Sequence, residues 1–182
     1  MEIENQKYRQ GVEKAAQLAY SYESKYYACS QTVLAALMEA FGFGDPNVLR
    51  AGTTFAGGVA RRGNVCGSIS GGLIMIGYLV GRDDLEMIEQ YQRGMKFADK
   101  LCKKFEENYG TVICKEIQKK KFGRSFDLLR LEERKELHAA MKANPEGCQA
   151  VARDAARWTA EIMVEIFLEG PPLARMLAQH QR

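Results

Sequence analysis

Along almost the whole chain apolar residues recur at spacings of three and four, and nowhere do they alternate strictly with polar ones through a β-branched run. That spacing follows the 3.6-residue turn of an amphipathic helix and not the two-residue pleat of a strand, so the sequence predicts an all-α fold. With 182 residues, 46% of them hydrophobic and 27% charged, the chain can bury one substantial core. No internal repeat, low-complexity tract or linker divides it, and a single compact domain of about seven helices over residues 1–182 is the simplest organisation.

Tyr8, Val12, Ala15, Ala16 and Leu18 mark a first helix from about residue 5 to 22, ending in the polar run Ser21-Tyr22-Glu23-Ser24-Lys25. A second begins near Cys29 and is stopped by Gly42 and Gly44. Asp45-Pro46 opens a third, reaching about Phe55, because the Asp side chain can accept an amide hydrogen bond and Pro is tolerated at the first helical position. A loop through Gly57-Gly58 and Arg61-Arg62-Gly63-Asn64 then delivers Cys66 to a helix rich in small residues, closed by Gly81. Asp83-Asp84 starts a long amphipathic helix to about Tyr109, a short helix carries Cys114 in its first turn, and a charged helix runs from Asp127 to Lys142. Asn144-Pro145-Glu146 opens the last long helix, which Gly170-Pro171-Pro172 ends, leaving residues 171–182 as a tail.

Charge and composition exclude several functions. The formal net charge is only +3, and the one basic run, Lys119 to Lys121, has no aromatic stacking platform beside it, so nucleic-acid binding is not expected. The apolar stretch from Ile69 to Val80 is too short and too glycine-rich to span a bilayer, and no membrane association is expected. Met1 to Gln6 lacks the basic-then-apolar layout of a secretory signal, and a cytoplasmic protein is expected. The two histidines, His138 and His180, read as surface residues, and an imidazole-rich metal site is excluded. The adjacent pairs Glu106-Glu107 and Glu132-Glu133 diverge on a helix and offer no tuned carboxylate. Tyr and Phe content permits a homodimer without requiring one.

Chemistry is therefore left to five cysteines. In a reducing compartment they are not expected to form a permanent disulfide framework, and metal binding or redox chemistry gains weight. Cys29, Cys66, Cys114 and Cys148 each fall near the N-terminal end of a predicted helix. Such ends carry unpaired amide donors and partial positive charge, which are expected to lower a thiol pKa and to stabilise an anionic metal–thiolate group. Cys102 lies deep in its helix and reads as a small apolar packing residue. Gly67, Ser68 and Gly71 follow Cys66 closely; either they let two helices pack tightly or their backbone serves a cofactor. There is no C-x-x-C pair, so spacing alone leaves a cysteine site and ordinary core cysteines both open.

The segments Cys29-Ser30-Gln31-Thr32-Val33-Leu34, Phe55-Ala56-Gly57-Gly58, Arg62 to Gly71 around Cys66-Gly67-Ser68, Gly110 to Ile117 around Cys114, and Cys148 with Val151-Ala152 and Ala155-Ala156 together resemble the family named for the pattern C_GCAxxG_C_C, a resemblance that implies redox activity. The likeness spans roughly residues 28–165. It implies that Cys29, Cys66, Cys114 and Cys148 are the four signature cysteines, with Cys102 outside the pattern. Ser68 stands where the pattern has alanine, a small-for-small change whose hydroxyl can add a hydrogen bond near sulfur. The family is also similar to the non-haem part of split-Soret-type cytochromes, which implies an iron–sulfur cluster, expected as two-iron, on these cysteines for electron transfer or redox sensing with a redox partner protein. No C-x-x-C-H sequence exists here, so covalently attached haem is excluded. Two other readings stand beside the cluster: thiol–disulfide exchange between two of the four cysteines, and a non-catalytic helical scaffold with or without structural zinc.

Overall fold

In a computed structural model of the chain, which describes residues 2–169, the molecule is helical throughout. Eight α-helices occur among the described residues, rather than about seven: α1 (Glu2–Tyr26), α2 (Cys29–Phe41), α3 (Pro46–Ala51), α4 (Gly67–Val80), α5 (Ile88–Tyr109), α6 (Cys114–Phe122), α7 (Leu131–Ala143) and α8 (Cys148–Leu168). The predicted tail, 171–182, and His180 lie outside the described residues. No helix among the described residues is long and apolar enough to cross a membrane.

Several boundaries move for identifiable reasons. The first helix continues past residue 22 to Tyr26 because the polar run is not all solvent-facing: Glu23 turns inward to Thr32 and Tyr22 bonds Glu39. The third predicted helix is α3 followed by a 3-10 turn, Gly52–Phe55. Asp45 does cap α3, accepting from the Asn47 amide at 2.7 Å. Asp84, Asp127 and Asn144 each fold their side chain onto the amide two residues on, which makes turns that hold α5, α7 and α8 back to Ile88, Leu131 and Cys148.

The core lies where α1, α2, α4 and α8 pack together, with α5 against α4 and α8. Helix α4 buries Gly67 to Gly72, Met75, Ile76, Leu79 and Val80, apolar nearly all round, as a helix enclosed by others must be. It approaches α2 closely because Gly71 presents no side chain to the Ser30 backbone. A second, smaller apolar cluster of Phe126, Leu128, Leu137 and Met141 gathers under α6 and α7, with Tyr27 and Cys148 packed on it. The site forms between these two clusters.

Candidate functional site

Four helices point their N-terminal ends toward one cavity of about 390 Å³, which Cys29, Cys66, Cys114 and Cys148 all line. Cys29, Cys114 and Cys148 are the first residues of α2, α6 and α8, and Cys66 is the cap residue of α4. None of these four helix starts has a side-chain oxygen cap, in contrast to the Asp45 cap on α3. On α4 the amides of Ser68 and Ile69 and the Ser68 hydroxyl lie near the Cys66 sulfur and oppose the rise of its pKa. Gln118 approaches Cys114 Sγ at 3.5 Å through its amide nitrogen, and the Gly57 amide donates to Cys29.

The cysteines reach this common point through short backbone clamps. Residues 64–66 and 112–114 pair antiparallel in one isolated bridge, Val65 to Ile113, with Cys66 N–H on Val112 O at 2.8 Å and Cys114 N–H on Asn64 O at 2.6 Å. Gly58 packs its bare Cα against Cys114: an added Cβ there would meet Cys114 Cβ at 2.7 Å. At Gly67 an added Cβ would sit 2.3 Å from Cys29 Sγ. Of the three residues the sequence singled out after Cys66, Ser68 lines the cavity and bonds sulfur, Gly67 abuts Cys29, and Gly71 serves the α2–α4 contact, outside the lining. Cys102 is half-buried on α5, packed against the main core away from the cavity.

One expectation about the thiols is overturned. Helix ends were expected to lower their pKa, yet all four are pushed up: burial is the largest cause for each, the nearby Glu23 raises all four, and neighbouring sulfurs raise Cys29, Cys114 and Cys148 further. Each therefore rests as a thiol at neutral pH. A ligand or metal that takes these sulfurs as thiolates must displace their protons.

Sequence reasoning missed two groups here. Glu23 is 3% exposed, lines the same cavity, accepts from Thr32 Oγ1 at 2.9 Å and from the Ala28 amide, and is pushed by burial up to about 8. Its signal was the i, i+4 stripe Ala15, Ala19, Glu23, which puts it on the buried face of α1. His138, read as a surface residue, is half-buried at the cavity and stacks on Tyr27 with ring centroids 3.8 Å apart. Its helix lies over the cavity, so one face of that charged stretch is turned inward.

The loop between α3 and α4 is strained. Five consecutive residues, Gly57 to Arg61, have positive φ, and Val59 (60°), Ala60 (51°) and Arg61 (63°) are not glycines. A left-handed conformation is unfavourable for L side chains and a true outlier for a β-branched one. Bonds such as Ala60 N–H to Thr54 O (2.7 Å) and Asn64 N–H to Gly58 O (2.9 Å) hold it in place. Ala60 is exposed, so Ala60→Gly removes strain and no packing; the variant is expected to be about 1 kcal/mol more stable, read as a higher urea midpoint with unchanged slope.

The structure is that of an all-helical protein in which four cysteines at converging helix starts line one cavity with Glu23 and His138. The chain matches the sequence model of the family described as "Putative redox-active protein (C_GCAxxG_C_C)" over residues 27–162, and it belongs to that family. No curated protein and no solved structure shows significant similarity to it.

Proposed function

We propose that Cys29, Cys66, Cys114 and Cys148 hold an iron–sulfur cluster, two-iron, through which the protein exchanges electrons with a redox partner protein. The observation that carries this is the meeting of four cysteines, each from the start of a different helix, in one cavity. Such a cluster supplies a one-electron couple.

The donor set suits that group. Four sulfurs are available, and the other carboxylate and imidazole on the cavity are already engaged: Glu23 is held by Thr32 and Ala28, and His138 is stacked on Tyr27. Among the described residues no three of the His, Cys, Asp and Glu side chains gather closely enough to hold a single ion. Four thiolates with a two-iron, two-sulfide core leave net negative charge, and four helix N-termini at roughly +0.5 each oppose it.

The chain's own residues have definable tasks. The amides of Ser68, Ile69 and Gly57 donate to sulfur, Gly67 and Gly58 let backbone close on Cys29 and Cys114, and the α6–α7 cluster keeps bulk water from the sulfurs. Thiol–disulfide exchange fits less well, because an attacking thiol needs a lowered pKa and all four are raised.

Serine replacement tests the assignment one ligand at a time. After anaerobic reconstitution with ferrous iron and sulfide, Cys29→Ser, Cys66→Ser, Cys114→Ser and Cys148→Ser are each expected to retain far less iron than wild type, while Cys102→Ser retains the wild-type amount. Equal iron uptake in all five variants would remove the proposal.

A further inference from the structure

The cavity has a mouth as well as a floor, and its charge is one-sided. Arg61 and Arg134 line the cavity together with His138, and burial first, then the charges of Arg134, Lys142 and Arg61, lower the pKa of that imidazole. Among the described residues neither arginine has a carboxylate partner: Arg134 donates to the Leu128 carbonyl at 3.2 Å, and the Arg61 guanidinium makes no hydrogen bond or ion pair. Arg93, Arg124, Arg153 and Arg157 pair with acids, whereas Arg61 and Arg134 keep their charge uncompensated on the wall of a cavity. The one acid on the cavity, Glu23, faces Thr32 inside it.

Arg61 is also the last residue of the left-handed run from Gly57, and its backbone is held there by its N–H on Ala56 O at 3.1 Å. Strain of this kind persists where the surrounding structure enforces it, and it clusters at ligand-binding sites. Here its result is to bring a guanidinium to the mouth of a cysteine-floored cavity whose volume of about 390 Å³ is in the range of small-molecule sites.

We infer that the mouth of this cavity binds a small organic oxyanion, a carboxylate or phosphate monoester, gripped by Arg61 and Arg134 beside His138 and presented to the cysteine floor. Guanidinium forks match the geometry of both head groups. The inference deepens the redox reading by naming the class of small molecule that reaches the site, but it stands on the arginines and not on the cluster.

The test is calorimetric titration of the full-length protein with succinate, with inorganic phosphate and with uncharged succinamide. Saturable binding of succinate or phosphate, and none of succinamide, is expected, and the stronger of the two identifies the head group. Arg61→Gln and Arg134→Gln should each weaken it about tenfold or more, the loss of one charged hydrogen-bonded contact, whereas Arg50→Gln, on α3, should leave it unchanged. Cys66→Ser should still bind the anion although it lacks the cluster, which separates failure of this inference from failure of the cluster assignment. Saturation by neither anion would overturn the inference, as would arginine variants that change iron content but not anion affinity, since the arginines would then only balance cluster charge.

Discussion

Gly71→Ala is expected to destabilise the protein by about 3 kcal/mol, at the upper end of ordinary overpacking. The added Cβ would lie 2.4 Å from the Ser30 carbonyl oxygen and 3.2 Å from Ser30 Cα, and this is backbone that no rotamer change can move aside. Helix α2 cannot easily retreat, because Ser30 Oγ donates to Gly52 O at 2.7 Å and a shift would break that buried bond. At roughly 2–4 °C per kcal/mol for a chain of this size, the thermal midpoint should fall by about 6–12 °C. Gly77→Ala, on the same helix, is the control: nothing lies within 4 Å of its added Cβ, so it should gain about 0.5–1 kcal/mol through helix propensity. Circular dichroism melts of the two variants check both signs, and equal midpoints would mean that α2 and α4 are not in this close contact.

Glu23→Gln should abolish a pH dependence of stability. The carboxyl has an ordinary value of 4.5 and is raised by burial to about 8 in the folded protein. Between those values the folded state holds a proton that the unfolded state has lost, so stability is fully present below pH 4.5 and is lost progressively up to pH 8. By pH 7 the loss is about 3 kcal/mol. Glutamine does not titrate, so the stability of the variant relative to wild type should rise by that amount from pH 4.5 to 7 in metal-free protein. The four cavity thiols do not confuse this window, since burial moves them further above it. Parallel stability curves for the two proteins would show Glu23 to be ionised and solvated.

The placement of Cys29, Cys66, Cys114 and Cys148 at helix starts was legible because local punctuation marks helix ends: the polar run ending at Lys25 precedes Cys29, and Gly63-Asn64, Gly110 and Pro145 precede Cys66, Cys114 and Cys148 by a few residues. What those ends do to the thiols was not, since burial comes from α6 and α7 folding over the cavity, a contact that no local pattern encodes. Glu23 shows the same limit from the other side. Its i, i+4 place after Ala15 and Ala19 pointed inward, but a carboxylate in a polar run reads as solvated until its partners Thr32 and Ala28 are known. The left-handed turn at Val59, Ala60 and Arg61 had no signal at all, because these are not residues that favour such a backbone and only hydrogen bonds to residues 54–58 impose it. His138 was hidden by the charged residues beside it, and its stacking on Tyr27 depends on how α7 meets the segment between α1 and α2.

The most direct test of the central claim is to measure iron and acid-labile sulfide per chain, with the visible spectrum, on protein purified and reconstituted without oxygen. Near two iron and two sulfide per chain, with visible absorption that bleaches on reduction and is lost in Cys66→Ser, is the result predicted for a two-iron cluster on these cysteines. A chain that stays colourless after reconstitution, or that takes up zinc alone, would contradict it.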